Sequence, residues 1–75
     1  MPSKEYVLTN HARERMSDRG ISEEEIELVL RNPEITHPGP CGDINAIRTI
    51  SQRRIKVSYI MAGKKKRVIT AMVLT

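Results

Sequence analysis

Near the N-terminus, residues spaced four apart combine an imidazole with guanidinium groups. On a helix, His11, Arg15 and Arg19 form one polar stripe, because residues four apart lie one above another. Imidazole is suited to accepting and returning a proton near neutral pH, and guanidinium offers paired donors to phosphate oxygens. The stripe therefore predicts a site for phosphate chemistry. The alternative for His11 is a half-buried histidine whose ring binds a backbone carbonyl.

Arg48 is the basic residue of the C-terminal half whose position is most informative. Alternation along its strand places it on the same side as Ala46 and Ile50, where a charge is costly unless a partner neutralises it. That partner is either a phosphate or a carboxylate such as Glu14 or Asp18, and the sequence leaves both interpretations open. Arg48 is therefore a candidate catalytic residue.

Cleavage of RNA without a metal ion requires a base for the ribose 2′-hydroxyl, cations for the negative phosphorane and an acid for the leaving oxygen. His11 and Arg48 are the candidates for the first two roles. The candidates for binding the RNA backbone are Arg15, Arg19, Arg53, Arg54, Lys56, Lys64 and Lys65. A lysine-rich hairpin tip is also a common solubility device, which is the alternative for the lysines at 64–66.

Composition places the chain among small basic globular proteins. Its 75 residues predict a single domain, 1–75, with a formal net charge of +4 and a pI near 9.6. Acidic residues cluster at 23–27, whereas basic residues dominate from 48 to 67, which favours a phosphate-bearing partner. The alternative is an ordinary solvated basic surface. So small a core also favours dimerisation or a tight partner.

Metal and disulfide sites are not indicated by the sequence. Cys41 is the only cysteine, so no internal disulfide can form, and His11, His37 and Cys41 lack the paired ligand spacing of zinc modules. We therefore expect no metal and no other cofactor. No segment approaches the roughly 20 apolar residues that span a bilayer, and residues 1–4 lead into no long apolar run. We expect a cytoplasmic protein that does not bind membranes.

The first half of the chain predicts one short strand followed by two helices. The polar pair Thr9 and Asn10 can cap a first helix that ends at Gly20. Ser22 and Glu25 form a capping-box pattern for a second helix, which the following Asn-Pro pair should end. The polar stripe thus lies on the first helix.

The second half predicts a loop and then an antiparallel meander. The prolines and glycines of residues 34–43 predict an irregular loop. Three strands follow, at 44–51, 54–62 and 67–74. The expected fold is α+β with the order β-α-α-β-β-β. Because two helices cover only one face of a sheet, apolar surface is left for a second subunit or another partner.

Motifs of the N-terminal half resemble a known family. The run from His11 to Met16, the segment from Arg19 to Glu25 and the triplet at 32–34 are together similar to a widespread uncharacterised family of bacterial and archaeal proteins. That family resembles the BrnT and RelE/ParE toxins. The resemblance implies two N-terminal helices packed on an antiparallel sheet, in a superfamily that contains metal-independent ribonucleases working with antitoxins.

The resemblance also implies candidate residues in the late strands. RelE-like ribonucleases use basic strand residues and a late Tyr or His. Residues 67–75 contain neither a tyrosine nor a histidine. Thr70 is the polar residue closest to that place. Tyr59 lies on the preceding strand, where alternation turns it to the apolar side. Thr70 and Tyr59 therefore join the candidates for catalysis.

Two functions follow from these patterns. The first is a small toxin-type protein that binds RNA, such as mRNA on the ribosome. As an enzyme, it would be a ribonuclease that needs no metal ion. Its partners would be RNA and an antitoxin protein. The alternative is a non-enzymatic module on the same fold, which binds RNA or forms a homodimer.

Overall fold

The architecture comes from a computed structural model, which describes residues 5–74. Two helices pack on one face of a five-stranded mixed sheet. The elements, in chain order, are β1 (Tyr6–Leu8), α1 (Asn10–Arg19), α2 (Glu23–Arg31), β2 (Ile35–Pro38), β3 (Ile44–Ile50), β4 (Arg53–Ala62) and β5 (Lys65–Val73). The α+β class and the packing of two helices on a sheet agree with the prediction.

β2 corrects the predicted element order, which becomes β-α-α-β-β-β-β. Residues 34–43 predict an irregular loop, but Ile35–Pro38 pair antiparallel with β3 in a register that sets His37 opposite Asn45. All of β2 is exposed, so the strand lacks the alternation of apolar and polar residues that would reveal it. Its proline is tolerated because β2 is an edge strand.

The predicted antiparallel sheet is also wrong at its other edge. The strand order is β1-β5-β4-β3-β2, and β1 runs parallel to β5 with Leu8 opposite Val68. Parallel pairing requires a long connection between the two strands, which the helices and the intervening meander supply. The strands from β2 to β5 form the expected antiparallel meander.

The helix ends follow the predicted signals. The Thr9 side chain accepts a hydrogen bond from the first turn of α1, and Gly20 ends that helix with a φ of 64°. Ser22 and Glu25 form the capping box of α2, and Asn32 is its C-cap. Local sequence thus determines where both helices begin and end. Within residues 5–74, neither helix is long and apolar enough to cross a membrane.

The core lies between the helices and the sheet. Ala12 and Met16 of α1 and Ile26, Val29 and Leu30 of α2 form the buried helix faces. The strand residues that meet them are mainly aliphatic and include Leu8, Ala46, Ile55, Val57, Tyr59, Val68 and Ala71. We call the face of the sheet that carries these residues, and on which the helices pack, the helix side.

A bulge in β5 changes which of its residues face the helices. Ser58 of β4 lies opposite Thr70, and the residue after Ser58 lies opposite Val68, so Ile69 is the additional residue. Strict alternation along β5 therefore fails at this point. Val68 and Ala71 are both fully buried in the core, whereas Thr70 points to the other face of the sheet.

The β3–β4 hairpin fixes the register of the central strands. Its two-residue turn, Ser51 and Gln52, has positive φ at both positions, 49° and 70°, as a type I′ turn requires. The resulting register sets Asn45 opposite Ser58. The turn therefore determines which polar side chains meet at the centre of the sheet.

Candidate functional site

The charged residues of the described strands are all basic, and the acidic residues lie elsewhere in the molecule. None of the described strands contains an acidic residue, so every carboxylate among residues 5–74 lies in a helix or outside regular structure. The basic residues of the strands are Arg48, Arg53, Arg54, Lys56, Lys65, Lys66 and Arg67. Because side chains alternate between the faces of a strand, neighbours such as Arg53 and Arg54 point to opposite sides of the sheet.

Arg53 points to the helix side and binds the end of α1. Its guanidinium donates to the carbonyl oxygens of Arg19 (3.3 Å) and Gly20 (3.2 Å) and forms a 2.7 Å ion pair with Glu25. Carbonyls at a helix end have no partner within the helix and carry partial negative charge. The Ser22 backbone N–H and the Arg53 guanidinium lower the pKa of Glu25, against the opposing effect of burial. Arg53 therefore joins α1, α2 and the sheet.

Arg48 and Lys66 bind the end of α2 in the same way. The Arg48 guanidinium donates to the carbonyl of Asn32 (2.8 Å), and the Lys66 ammonium donates to that of Leu30 (3.1 Å). Lys66 Nζ also lies 5.3 Å from the centroid of the Tyr59 ring. The charge of Arg48 on an apolar face is thus stabilised by a backbone carbonyl, a partner that its position in the sequence did not suggest.

The remaining strand cations point away from the helices. Lys56 lies between Ile55 and Val57, which are buried against the helices, so its side chain emerges on the opposite surface. Arg67 precedes buried Val68 and points the same way. We call this surface, which neither described helix covers, the open face. Its basic residues are Arg54, Lys56, Lys65 and Arg67.

These open-face cations form a line along the strand direction. Same-face neighbours on one strand are about 6.8 Å apart, and adjacent strands are about 4.8 Å apart. Arg54 and Lys56 are same-face neighbours on β4, as are Lys65 and Arg67 on the adjacent β5. Within residues 5–74, none of the four side chains takes part in a hydrogen bond or an ion pair. We call this line the cationic track.

A row of polar side chains crosses the cationic track between the two pairs. The register places His37, Asn45, Ser58 and Thr70 side by side on four adjacent strands, and we call these residues the polar row. Ser58 Oγ donates a 2.6 Å hydrogen bond to Asn45 Oδ1, and both residues are only 7% exposed. His37, on the edge strand, is exposed. The centre of the row is therefore fixed, and its histidine end is open to solvent.

Aliphatic side chains flank the polar row, and the imidazole of His37 is the one aromatic ring that the described strands place on the open face. Ile35, Ile47 and Met72 lie next to the row in the register, and Ile35 is 45% exposed. Both tyrosines of the chain, Tyr6 and Tyr59, are buried on the helix side. Single-strand sites use aromatic rings to stack bases. Apart from the His37 ring, contacts of a nucleic acid with this face would therefore involve its backbone and not base stacking.

Acidic side chains collect on the helix side, near the start of α2. There a shallow depression is lined by Tyr6, Ser22, Glu23, Glu24 and Glu27. Burial, followed by the hydrogen bond from its hydroxyl to Glu23 (3.0 Å), raises the pKa of Tyr6 to about 12. The two sides of the sheet thus differ in charge, since the strand residues of the open face include cations and no acidic residue.

The catalytic candidates from the sequence are divided between the two sides. Thr70 lies on the open face, whereas Arg48 and Tyr59 point to the helix side. His11 is exposed on α1, a helix that packs on β5. Among the described residues, no hydrogen bond or ion pair joins His11 to Arg48. Their catalytic roles stay predictions.

The candidates for RNA binding are divided in the same way. Those on the open face are Arg54, Lys56 and Lys65, and Lys64 lies in the exposed turn beside them. Those on the helix side are Arg15, Arg19 and Arg53. Arg15 pairs with Asp18 at 3.5 Å. The structure therefore brings together Arg54, Lys56, Lys64 and Lys65 and separates them from Arg53 and from the polar stripe of α1.

Sequence reasoning did not assign His37, Asn45 or Ser58 to the candidate site on the open face. His37 belongs to the segment predicted as a loop, so its face cannot be assigned before β2 is known. Asn45 and Ser58 left a signal in the sequence, because each is an uncharged polar residue between two apolar neighbours within a strand. Buried polar side chains in such places generally have a hydrogen-bond partner, which would have suggested that they pair.

Comparison with known proteins gives a family match over most of the chain. Residues 8–73 match the model of a family described as a domain of unknown function, DUF4258. The matched range contains both helices and all of β2, β3, β4 and β5, and with them the polar row and the cationic track. No curated protein and no solved structure matches the chain.

Proposed function

The chain belongs to the DUF4258 family, whose function is unknown, and we propose that its open face binds RNA. The division of the strand cations is the observation that carries the proposal. Three of them bind helix ends on the helix side, whereas the four of the cationic track have no ionic or hydrogen-bonding partner among residues 5–74. A surface whose strands supply several unpaired cations and no acidic residue attracts a polyanion.

The arrangement of the open face favours a nucleic-acid backbone as that polyanion. Cations repeated along one direction can contact successive phosphates, and each contact releases condensed counterions. The polar row supplies amide and hydroxyl groups between the two pairs of cations, where a sugar would lie. The ribose 2′-hydroxyl both donates and accepts hydrogen bonds and is the group by which proteins distinguish RNA from DNA. Binding through backbone contacts implies little dependence on base sequence.

The proposal extends to the toxin-type class that the sequence resembles. In that class a protein partner inhibits the RNA-directed activity, and here a partner would need only to cover the open face. Its surface would be acidic, to complement the cationic track. Induced expression of a toxin should arrest bacterial growth, and the double variant Lys56→Gln, Arg67→Gln should relieve the arrest. Unaffected growth with wild type would contradict the toxin class without touching RNA binding.

A salt titration with matched variants tests RNA binding. Affinity for a fluorescently labelled single-stranded RNA is measured by anisotropy over a range of salt concentrations for wild type and for Lys56→Gln, Arg67→Gln. Removal of two phosphate contacts should weaken binding and lower the slope of log affinity against log salt by about 0.7 per contact. The control is Arg13→Gln, Arg31→Gln, which removes the same charge from exposed positions on the helices.

The control should bind as wild type does, because its cations lie outside the cationic track. Equal losses in both double variants would mean that net charge alone drives binding, and the open face would not be the site. A wild-type affinity that does not fall with salt would contradict phosphate contacts altogether.

A protein-interaction module is the second candidate function. Exposed Ile35 and partly exposed Met72 add apolar surface beside the cationic track, which RNA phosphates would not use. If a second copy covered this surface, sedimentation would show a concentration-dependent dimer. Ile35→Asp should dissociate that dimer, whereas RNA binding through the track should survive the same change.

A further inference from the structure

His37 is the ionisable member of the polar row, and RNA binding alone gives it no role. We propose that His37 is the general base of an RNA transesterification on the open face. This inference rests on the proposed function, because the substrate is an RNA strand held by the cationic track. It assigns the reaction to a histidine of the edge strand β2 and not to the one on α1.

The register places His37 where a ribose bound on the polar row would lie. Its strand is one step, about 4.8 Å, from the strand of Asn45 and two steps, about 9.6 Å, from β4, which carries Lys56. A ribose above Asn45 therefore lies between the imidazole and the cations. The imidazole is exposed and, among the described residues, forms no hydrogen bond or ion pair that would occupy it.

Asn45 is only 7% exposed and is held in one orientation, and its amide nitrogen has no hydrogen-bond partner among residues 5–74. Its Oδ1 accepts the 2.6 Å hydrogen bond from Ser58, which fixes the orientation of the side chain. The Nδ2 donors then point away from this bond, and no described residue accepts from them. An amide in this position can donate to an oxygen of the phosphate or sugar. Asn45 is thus a binding group beside the base, and Ser58 positions it.

The reaction that these groups support is the internal attack of a ribose on its own phosphodiester. His37 removes the proton of the 2′-hydroxyl, O2′ forms a bond to the adjacent phosphorus, and the bond from phosphorus to O5′ breaks with its electron pair going to oxygen. The O5′ takes a proton from water, and the imidazolium returns its proton to the hydroxide. Lys56 and Asn45 face the charge that builds up on the phosphate. The products are a 2′,3′-cyclic phosphate end and a 5′-hydroxyl end.

The test measures binding and cleavage on the same samples. Wild type, His37→Gln and Thr36→Ala are incubated with a labelled single-stranded RNA, with its all-deoxy counterpart and with mRNA on translating ribosomes. Thr36 is the matched control, because it lies next to His37 on β2 and points to the helix side. We expect RNA ends with 2′,3′-cyclic phosphate from wild type and Thr36→Ala, at least about a hundredfold slower cleavage by His37→Gln, and none of the deoxy strand. Binding by anisotropy should be equal in all three proteins.

Each other outcome overturns the inference in an identifiable way. If wild type binds RNA and cleaves neither free nor ribosome-bound RNA, the catalytic role fails and RNA binding stands. If His37→Gln cleaves as fast as wild type, or if His11→Gln rather than His37→Gln abolishes cleavage, the base is another group. If wild type does not bind RNA, the proposed function fails and this inference fails with it.

Discussion

Arg53 and Arg54 are adjacent in the chain and belong to different parts of the molecule. Arg53 lies on the helix side, where two carbonyls of α1 and the carboxylate of Glu25 surround its guanidinium. Arg54 lies on the open face, where its guanidinium has no hydrogen-bond or ion-pair partner among the described residues. Lys66 and Arg67 repeat this division on β5. Because side chains alternate along a strand, neighbouring basic residues have different roles: one stabilises the fold, and the next lies on a surface available to a partner.

The comparison shows why the basic residues of this chain cannot be counted together. A helix end offers several carbonyls without partners, and a cation beneath it is neutralised by them. Both helices end above strand cations, so three of the strand cations are used within the fold. The cations available to a partner are those on the face without helices.

The largest expected effect separates Arg53 from Arg54. Arg53→Gln should lower the free energy of unfolding by about 2 kcal/mol, because it removes charged hydrogen bonds to the end of α1 and leaves Glu25 without its cation. Arg54→Gln should change it by no more than about 0.5 kcal/mol, as for a typical surface substitution. Urea denaturation of both variants measures the difference. RNA affinity should show the reverse order.

If Arg54→Gln destabilised the protein as much as Arg53→Gln, the two faces would not differ in the way described. Unchanged stability in Arg53→Gln would show that the end of α1 does not depend on the guanidinium.

Lys66 and Arg67 offer the same comparison with a smaller effect. Lys66→Met should cost about 1 kcal/mol of unfolding free energy, since the ammonium binds the Leu30 carbonyl and lies over the Tyr59 ring. Arg67→Met should leave stability nearly unchanged and weaken RNA binding. Thermal unfolding and anisotropy together check the pair. A loss of RNA affinity that is equal in both variants would contradict the assignment of Lys66 to the helix side.

The hydrogen bond from the Ser22 backbone N–H to Glu25, together with the ion pair of Glu25 with Arg53, predicts a dependence of stability on pH. The pKa of Glu25 is lowered from 4.5 in the folded protein, so its charged form contributes stability that is present above about pH 4.5 and lost as the pH falls through the folded value. Wild type should therefore exceed Glu25→Gln in unfolding free energy at neutral pH, and the gap should close in acid. Denaturation curves of both proteins at several pH values measure the gap. A gap that widened on acidification would contradict the lowered pKa.

The smallest effect concerns the turn that sets the register of the polar row. Gln52 has a φ of 70°, which glycine adopts without steric cost. Gln52→Gly should raise the unfolding free energy by about 0.5 kcal/mol, because it completes a favourable type I′ turn. RNA affinity should not change, which separates stability from binding. A decrease in stability would show that the side chain of Gln52 makes contacts that offset the strain.

Much of the fold could be predicted because the residues that begin and end its helices lie within a few positions of each helix end. The capping box at Ser22 and Glu25 and the glycine at 20 each specify a helix end within a few residues. The face of Tyr59 followed from simple alternation, and the tyrosine is buried as expected. The fold class therefore needed no information on distant contacts.

The site needed information that the sequence does not carry locally. β2 exists only through its pairing with β3, and the bulge at Ile69 reverses the face of Thr70 relative to Val68. The Arg48 guanidinium donates to the backbone carbonyl of Asn32, and no pattern of side chains in the sequence indicates this partner. Alternation along β4 predicted the shared face of Arg54, Lys56 and Ser58, but the open face as a whole could not be predicted, since its residues come together through the register of four strands.

The most direct test of the account is to map where RNA contacts the protein. In a titration of isotope-labelled protein with single-stranded RNA, amide signals of β4 and β5 around Lys56, Ser58 and Thr70 should shift, and those of α1 should not. Shifts concentrated around His11 and Arg15 would place the RNA on the helix side and contradict the claim that the open face is the binding surface.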